Sequence, residues 1–74
     1  MRMVQLWNGN WINRSHVAVV AILDESDGYR VVVRMSNGDI VGSKLFTRDR
    51  NFHEEAKPKA ELFRDEWADE FNKE

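Results

Sequence analysis

The sequence predicts an α+β fold: a four-stranded antiparallel β-meander with one C-terminal α-helix packed on a sheet face. Three observations carry this expectation. Residues 29–35 and 40–46 are two β-rich runs flanking Asn37-Gly38, the strongest short-range hairpin signal. Residues 17–23 are apolar without interruption, as a buried strand requires. Ala60, Phe63, Trp67 and Phe71 recur at near-helical spacing, which gives a helix one apolar stripe.

The first run spans residues 3–7 and is followed by Asn8-Gly9-Asn10 and by residues 11–13. A three-residue turn there sets Trp7 opposite Trp11 and Leu6 opposite Ile12. Val4, Leu6 and Ile12 then share one face, and Gln5, Trp7, Trp11 and Asn13 the other. The second run, residues 16–23, is apolar on both sides, which predicts a central strand covered on both faces. It ends in the polar loop Asp24-Glu25-Ser26-Asp27-Gly28. The third and fourth runs form the Asn37-Gly38 hairpin. A two-residue loop pairs Met35 with Ile40, Val33 with Gly42, Val31 with Lys44 and Tyr29 with Phe46. One face carries Tyr29, Val31, Val33, Met35, Ile40 and Phe46, and is the expected core. The opposite face carries Arg30, Val32, Arg34, Val41, Ser43 and Leu45. Gly42 has no side chain and lets another element approach closely.

Residues 47–57 form a polar connection, in which Asn51 and Glu54 have the spacing of a helix start. Pro58 interrupts a helix but suits the first position of a new one, where its missing N–H has no partner to lose. The main helix is therefore expected over 58–72, after a sheet over 1–46. An isolated helix of about 15 residues is marginal in water. Burial of its three rings, at about 1.5–3 kcal/mol each, must hold it against Tyr29, Val31, Val33 and Phe46.

A chain of 74 residues is expected to form one domain. At this size roughly 60% of the unfolded surface is buried on folding, which leaves stability marginal. The chain has no cysteine, so disulfides and thiolate metal sites are excluded and a cytoplasmic location is expected. No apolar run approaches the ~20 residues of a membrane span, and the first residues lack a signal-peptide pattern. The sequon Asn13-Arg14-Ser15 is expected to stay unmodified without an export signal. Formal net charge is −2. Residues 1–50 hold seven basic and five acidic residues, whereas residues 58–74 hold three basic and six acidic. The sheet half is faintly basic and the tail acidic.

Catalytic chemistry finds no support. His16 and His53 are the only histidines. His53-Glu54-Glu55 lacks the second histidine of a zinc helix motif, and no Gly-rich phosphate loop precedes a helix. Asp65 and Asp69 sit one turn apart on the side away from the apolar stripe, where no sheltered cleft shifts their pKa values. No catalytic residue, metal ligand or cofactor is expected.

The expected function is that of a small non-catalytic protein-binding module. Compact accessory or inhibitor proteins of phages and mobile elements have this general build. Aromatic rings with arginine nearby are enriched at binding hot spots, and the candidate partner-binding residues are Trp7, Trp11, Arg30, Arg34 and Leu62. Leu62 points away from the apolar stripe, among acids. The expected partner is another protein rather than a membrane. A homodimer through a strand edge or Leu62 suits so small a core.

Two other readings stand beside this one. Trp11, the 17–23 run, residues 29–35 and Asn37-Gly38 together resemble small SH3-like barrels, including Tudor-type modules. That resemblance covers about half the chain and implies an SH3-like barrel with a helical extension. Trp7, Trp11, Tyr29 and the basic residues of the sheet half could stack single-stranded nucleic acid, although a pI near 5.6 opposes strong affinity for phosphates. Alternatively, the acidic face of Glu61, Asp65, Glu66, Asp69 and Glu70 mimics a nucleic acid and occupies a partner's basic groove.

Overall fold

The Asn8-Gly9 hairpin and the Asn37-Gly38 hairpin are closed by the same five-residue device. In the first, Leu6 N–H donates to Asn10 O and Gly9 N–H to Leu6 O; in the second, Met35 N–H donates to Asp39 O and Gly38 N–H to Met35 O. The Asn8 Oδ1 accepts from Asn10 N–H, and the Asn37 Oδ1 from Asp39 N–H. Gly9 and Gly38 take φ of 90° and 95°, and among the described residues no other residue type has positive φ. Asn37 therefore does not take the left-handed conformation that a two-residue type I′ loop demands. A three-residue loop forms instead, ending in a left-handed glycine.

These turns sit in a computed structural model describing residues 3–47 and 53–72, with the side chains of 53–55 outside the description. The elements are β1 (Met3–Gln5), β2 (Trp11–Asn13), a 3-10 turn (Arg14–His16), β3 (Val17–Glu25), β4 (Gly28–Met35), β5 (Ile40–Thr47) and α1 (His53–Asn72). β1 and β2 form a two-stranded antiparallel sheet, and β3-β4-β5 a three-stranded one. The architecture is α+β, with five strands in two sheets rather than one four-stranded meander. The break lies at Asn13, whose Oδ1 caps the 3-10 turn by accepting from Ser15 N–H and Ser15 Oγ. The chain leaves its extended path there, so the first hairpin folds over the meander instead of extending it. Among the described residues no strand is shared between the two sheets, so main-chain bonding does not close them into the alternative barrel.

Three further expectations are corrected. The apolar run of β3 is an outer strand, not the central one, and its Val19 and Leu23 are exposed. The central strand is β4, whose Val31, Val32 and Val33 are buried, because the tight turn after Glu25 and the loop after Met35 put a neighbour on each side of it. In the first hairpin the pairs are Val4↔Ile12 and Gln5↔Trp11, two residues away from the expected ones. The loop begins one residue earlier, at Trp7, which removes Trp7 from the strand. In the second hairpin the expected pairs hold from Tyr29↔Phe46 to Val33↔Gly42, but Arg34 pairs with Ile40. Val41 is the extra residue of a bulge. It joins the core in place of Ile40, which turns to solvent at 52% exposure.

α1 packs across the face of Val31 and Val33. Ala56 and Ala60 are buried, Trp67 and Phe71 pack on the cluster of Leu6, Ile12 and Val33, and Phe63 meets Phe46 edge-on with centroids 5.5 Å apart. The docking of the ring stripe onto the valine-rich face is as expected. The helix begins at His53 and holds Pro58 inside it, rather than beginning there. A proline within a helix loses one main-chain bond, and the flanking buried alanines hold the turns on either side of it. Of the expected Asn51/Glu54 start, Asn51 lies outside the described residues and Glu54 stands within the helix.

Candidate functional site

Trp7 and Trp11 part company, and their separation defines the candidate surface. As a loop residue Trp7 is free of strand alternation, and it turns inward. Its ring lies edge-on to Phe63 and Trp67, at centroid distances of 4.8 and 5.2 Å. Its Nε1–H donates to Ser43 O at 3.2 Å, and the neighbouring Asn8 Nδ2 donates to Val41 O at 3.2 Å. Trp7 and Trp11 therefore do not share the one face that the expected strand pairing gave them. These two bonds clamp the hairpin tip onto the outer edge of β5, and Gly42 permits the approach. A Cβ there would stand 3.1 Å from Leu6 Cδ1 and 3.2 Å from two Trp7 ring atoms.

Trp11 stays on the outward face of the hairpin. Its register partner is Gln5, and Met3 lies one step along the same face. Trp11 is 61% exposed and Met3 49%. Inward of them, Ile12 is buried in the core, so the ring stands on a fixed base. Gln5 ties this face to the turn by donating to Gly9 O. Beside it, between β1 and α1, runs an open groove of about 410 Å³ lined by Met3, Val4, Gln5, Glu66, Trp67 and Glu70. Sequence reasoning missed Met3. The hairpin's alternation would have found it, because it shares parity with Gln5.

The remaining candidates are dispersed. Arg30 and Arg34 lie on the sheet face opposite the helix. The Arg30 Nε pairs with both Glu25 carboxylate oxygens at 3.0 and 3.2 Å, and Arg34 is exposed between Val19 and Ile40 in register. Leu62 is 61% exposed, opposite the buried stripe. The five acids do not gather on one face. Glu61 borders Ile22, Tyr29 and Lys57 on one flank of the helix, Glu66 and Glu70 border β1 on the other, and Asp65 pairs with the adjacent Arg64 at 3.0 Å. Lys44 stands 5.8 and 5.7 Å from the Phe46 and Phe63 ring centroids, a cation–π arrangement. Among the described residues no group of three or more His, Asp or Glu is placed to hold a metal. Among the described residues no helix is long and apolar enough to cross a membrane.

Comparison with protein-family models, with curated proteins and with solved structures finds no match to this chain.

Proposed function

We propose that this protein is a small non-catalytic protein-binding module that grips a partner protein through the outward face of its first hairpin, with Trp11 as the anchor. One observation carries the reading: a tryptophan 61% exposed on a hairpin whose other tryptophan is built into the core. Tryptophan is large and on average well buried, so leaving one in water on a fixed base is a standing cost that a partner can relieve. Tryptophan is also the side chain most enriched at the energetic centre of protein interfaces. The hairpin is pre-organised by the Trp7 and Asn8 clamps, which lowers the ordering cost of binding. Met3 supplies an apolar neighbour, and Gln5, Glu66 and Glu70 supply a polar surround. Size and composition fit the accessory or inhibitor proteins of mobile elements, and the scattered acids give the mimic reading less support than a concentrated face would.

The test is a comparison of variants against a partner identified by capture and mass spectrometry. Trp11→Ala is expected to melt within about 0.5 kcal/mol of the parent, as surface changes do. It should weaken binding by about 2 kcal/mol or more, the threshold of a hot spot. Unchanged affinity in a folded Trp11→Ala protein would remove the proposed site.

A further inference from the structure

The two outer edges of the three-stranded sheet are treated differently. On β5, Trp7 and Asn8 donate to Ser43 O and Val41 O and so cover the edge. Among the described residues, β3 has no strand beside it on its outer side. Its residues 17–23 contain no charge and no proline, the devices by which natural edges are usually blunted.

Which main-chain groups face outward follows from those same clamps. The carbonyls of Val41 and Ser43 point away from β4. Main-chain direction alternates along an antiparallel strand, so Gly42 and Lys44 turn towards β4, Val33 and Val31 towards β5, and Val32 towards β3. Ala21, opposite Val32, turns inward. Val20 and Ile22 are left with N–H and C=O directed outward.

We infer that β3 pairs antiparallel with β3 of a second copy of this chain, about a two-fold axis at Ala21, to give a continuous six-stranded sheet. Val20 exchanges main-chain bonds with the partner's Ile22, and Ile22 with the partner's Val20. On the sheet face away from α1, Val19 comes to lie opposite the partner's Leu23. Val19 and Leu23 are the large apolar side chains of this strand left exposed, at 42% and 37%, and they become cross-strand neighbours in a non-hydrogen-bonded pair, where side chains approach most closely. On the helix side, a groove of about 220 Å³ between β3 and the end of α1 is lined by Val17, Val20, Ala68 and Phe71. It receives the partner's Ile22. Small Ala21 at the axis lets the backbones meet.

Charge selects a second copy as the occupant and antiparallel as the direction. Arg14 precedes β3, whereas Asp24, Glu25 and Asp27 cluster at its far end, which stays net acidic although Arg30 pairs with Glu25 there. Antiparallel self-pairing sets the acidic end of each strand along the cationic end of the other. Parallel pairing would set like beside like, which is unfavourable. The same surface patch serves both chains, so the assembly closes as a dimer and does not propagate. This interface is separate from the Trp11 surface.

Light scattering and sedimentation across a concentration series test the proposal, and a dimer is expected from the micromolar range upward. Val19→Lys should leave the melting temperature of the diluted protein unchanged and raise the dimer dissociation constant about tenfold or more. Trp11→Ala should leave that constant unchanged, which separates this proposal from the binding role assigned to Trp11. The absence of cysteine allows a second, geometric readout. Cα atoms of a non-hydrogen-bonded pair lie about 4.5 Å apart, within disulfide reach. Ala21→Cys should therefore cross-link under copper-catalysed air oxidation at least about tenfold faster than the exposed control Ser36→Cys. A protein that stays monomeric at every concentration overturns the inference. So does a dimer that tolerates Val19→Lys while Ala21→Cys cross-links no faster than the control.

Discussion

Trp7 and Trp11 stand four positions apart and end in opposite environments, and a single turn residue decides which goes where. Strand alternation alone puts both rings on one side. The left-handed Gly9 shortens the strand by one residue, makes Trp7 part of the loop, and lets its indole fall onto Phe63 and Trp67. The sequence carried Gly9 in plain view, but composition does not rank the two loop placements; in the one formed, the Asn8 Oδ1 accepts from Asn10 N–H. Gly42 was legible as a close-approach site, and it is one. Its prediction belongs at this scale. A Cβ added there meets Leu6 and the Trp7 ring at 3.1–3.2 Å, and the two further methyls of valine have no space. Gly42→Val is expected to cost about 1–3 kcal/mol, the range of core overpacking, and to push the indole towards water. Denaturant melts and a red-shifted tryptophan emission report the two effects. A variant that melts like the parent would mean the hairpin tip is not seated on β5.

At the scale of elements, the strand register near Phe46, the valine-rich face and the ring stripe of the helix were all legible, because each is set by periodicity. The position of β3 was not. Apolar residues on both sides of a strand signal burial on both faces only if neighbours exist, and neighbours are a property of topology. Val19 and Leu23 are exposed for that reason, and Ile40 because of the bulge at Val41. The boundary of α1 escaped for a different one: Pro58 is favourable at a first helical position and costly inside a helix, and local sequence does not say which position it holds. The two cases make opposite predictions. With the helix running from His53, Pro58→Ala restores the main-chain bond to Glu54 O and relieves the ring's clash with that carbonyl. It should stabilise the protein by about 1 kcal/mol or more, bounded by the ~3 kcal/mol propensity difference between alanine and proline. A helix starting at Pro58 would instead lose a favourable first residue. A higher thermal midpoint, together with greater far-ultraviolet helicity, supports the longer helix; a lower midpoint contradicts it.

The whole molecule is three parts that cannot bury themselves alone. A hairpin with three-residue strands, a three-stranded sheet with one covered face, and a single helix meet at one ring cluster: Trp7 from the hairpin, Phe46 from the sheet, and Phe63 and Trp67 from the helix. Val33 lies beneath it with Leu6 and Ile12, so each part shares apolar partners with the other two. Small domains joined this way unfold in one step. Unfolding followed by tryptophan emission, which reads the hairpin and the helix, should therefore coincide with unfolding followed by far-ultraviolet dichroism. Trp67→Ala sharpens the test. Removing a largely buried tryptophan costs about 3–5 kcal/mol, a large share of the about 5–15 kcal/mol that holds a typical domain. Because its ring touches Trp7 as well as Phe63 and Phe71, the loss should fall on one shared transition rather than free the helix alone. Two resolved transitions in Trp67→Ala, with strand dichroism outlasting helix dichroism, would show that the sheet and hairpin hold together without α1. That result would contradict the joint core on which both the Trp11 surface and the orientation of the β3 edge depend.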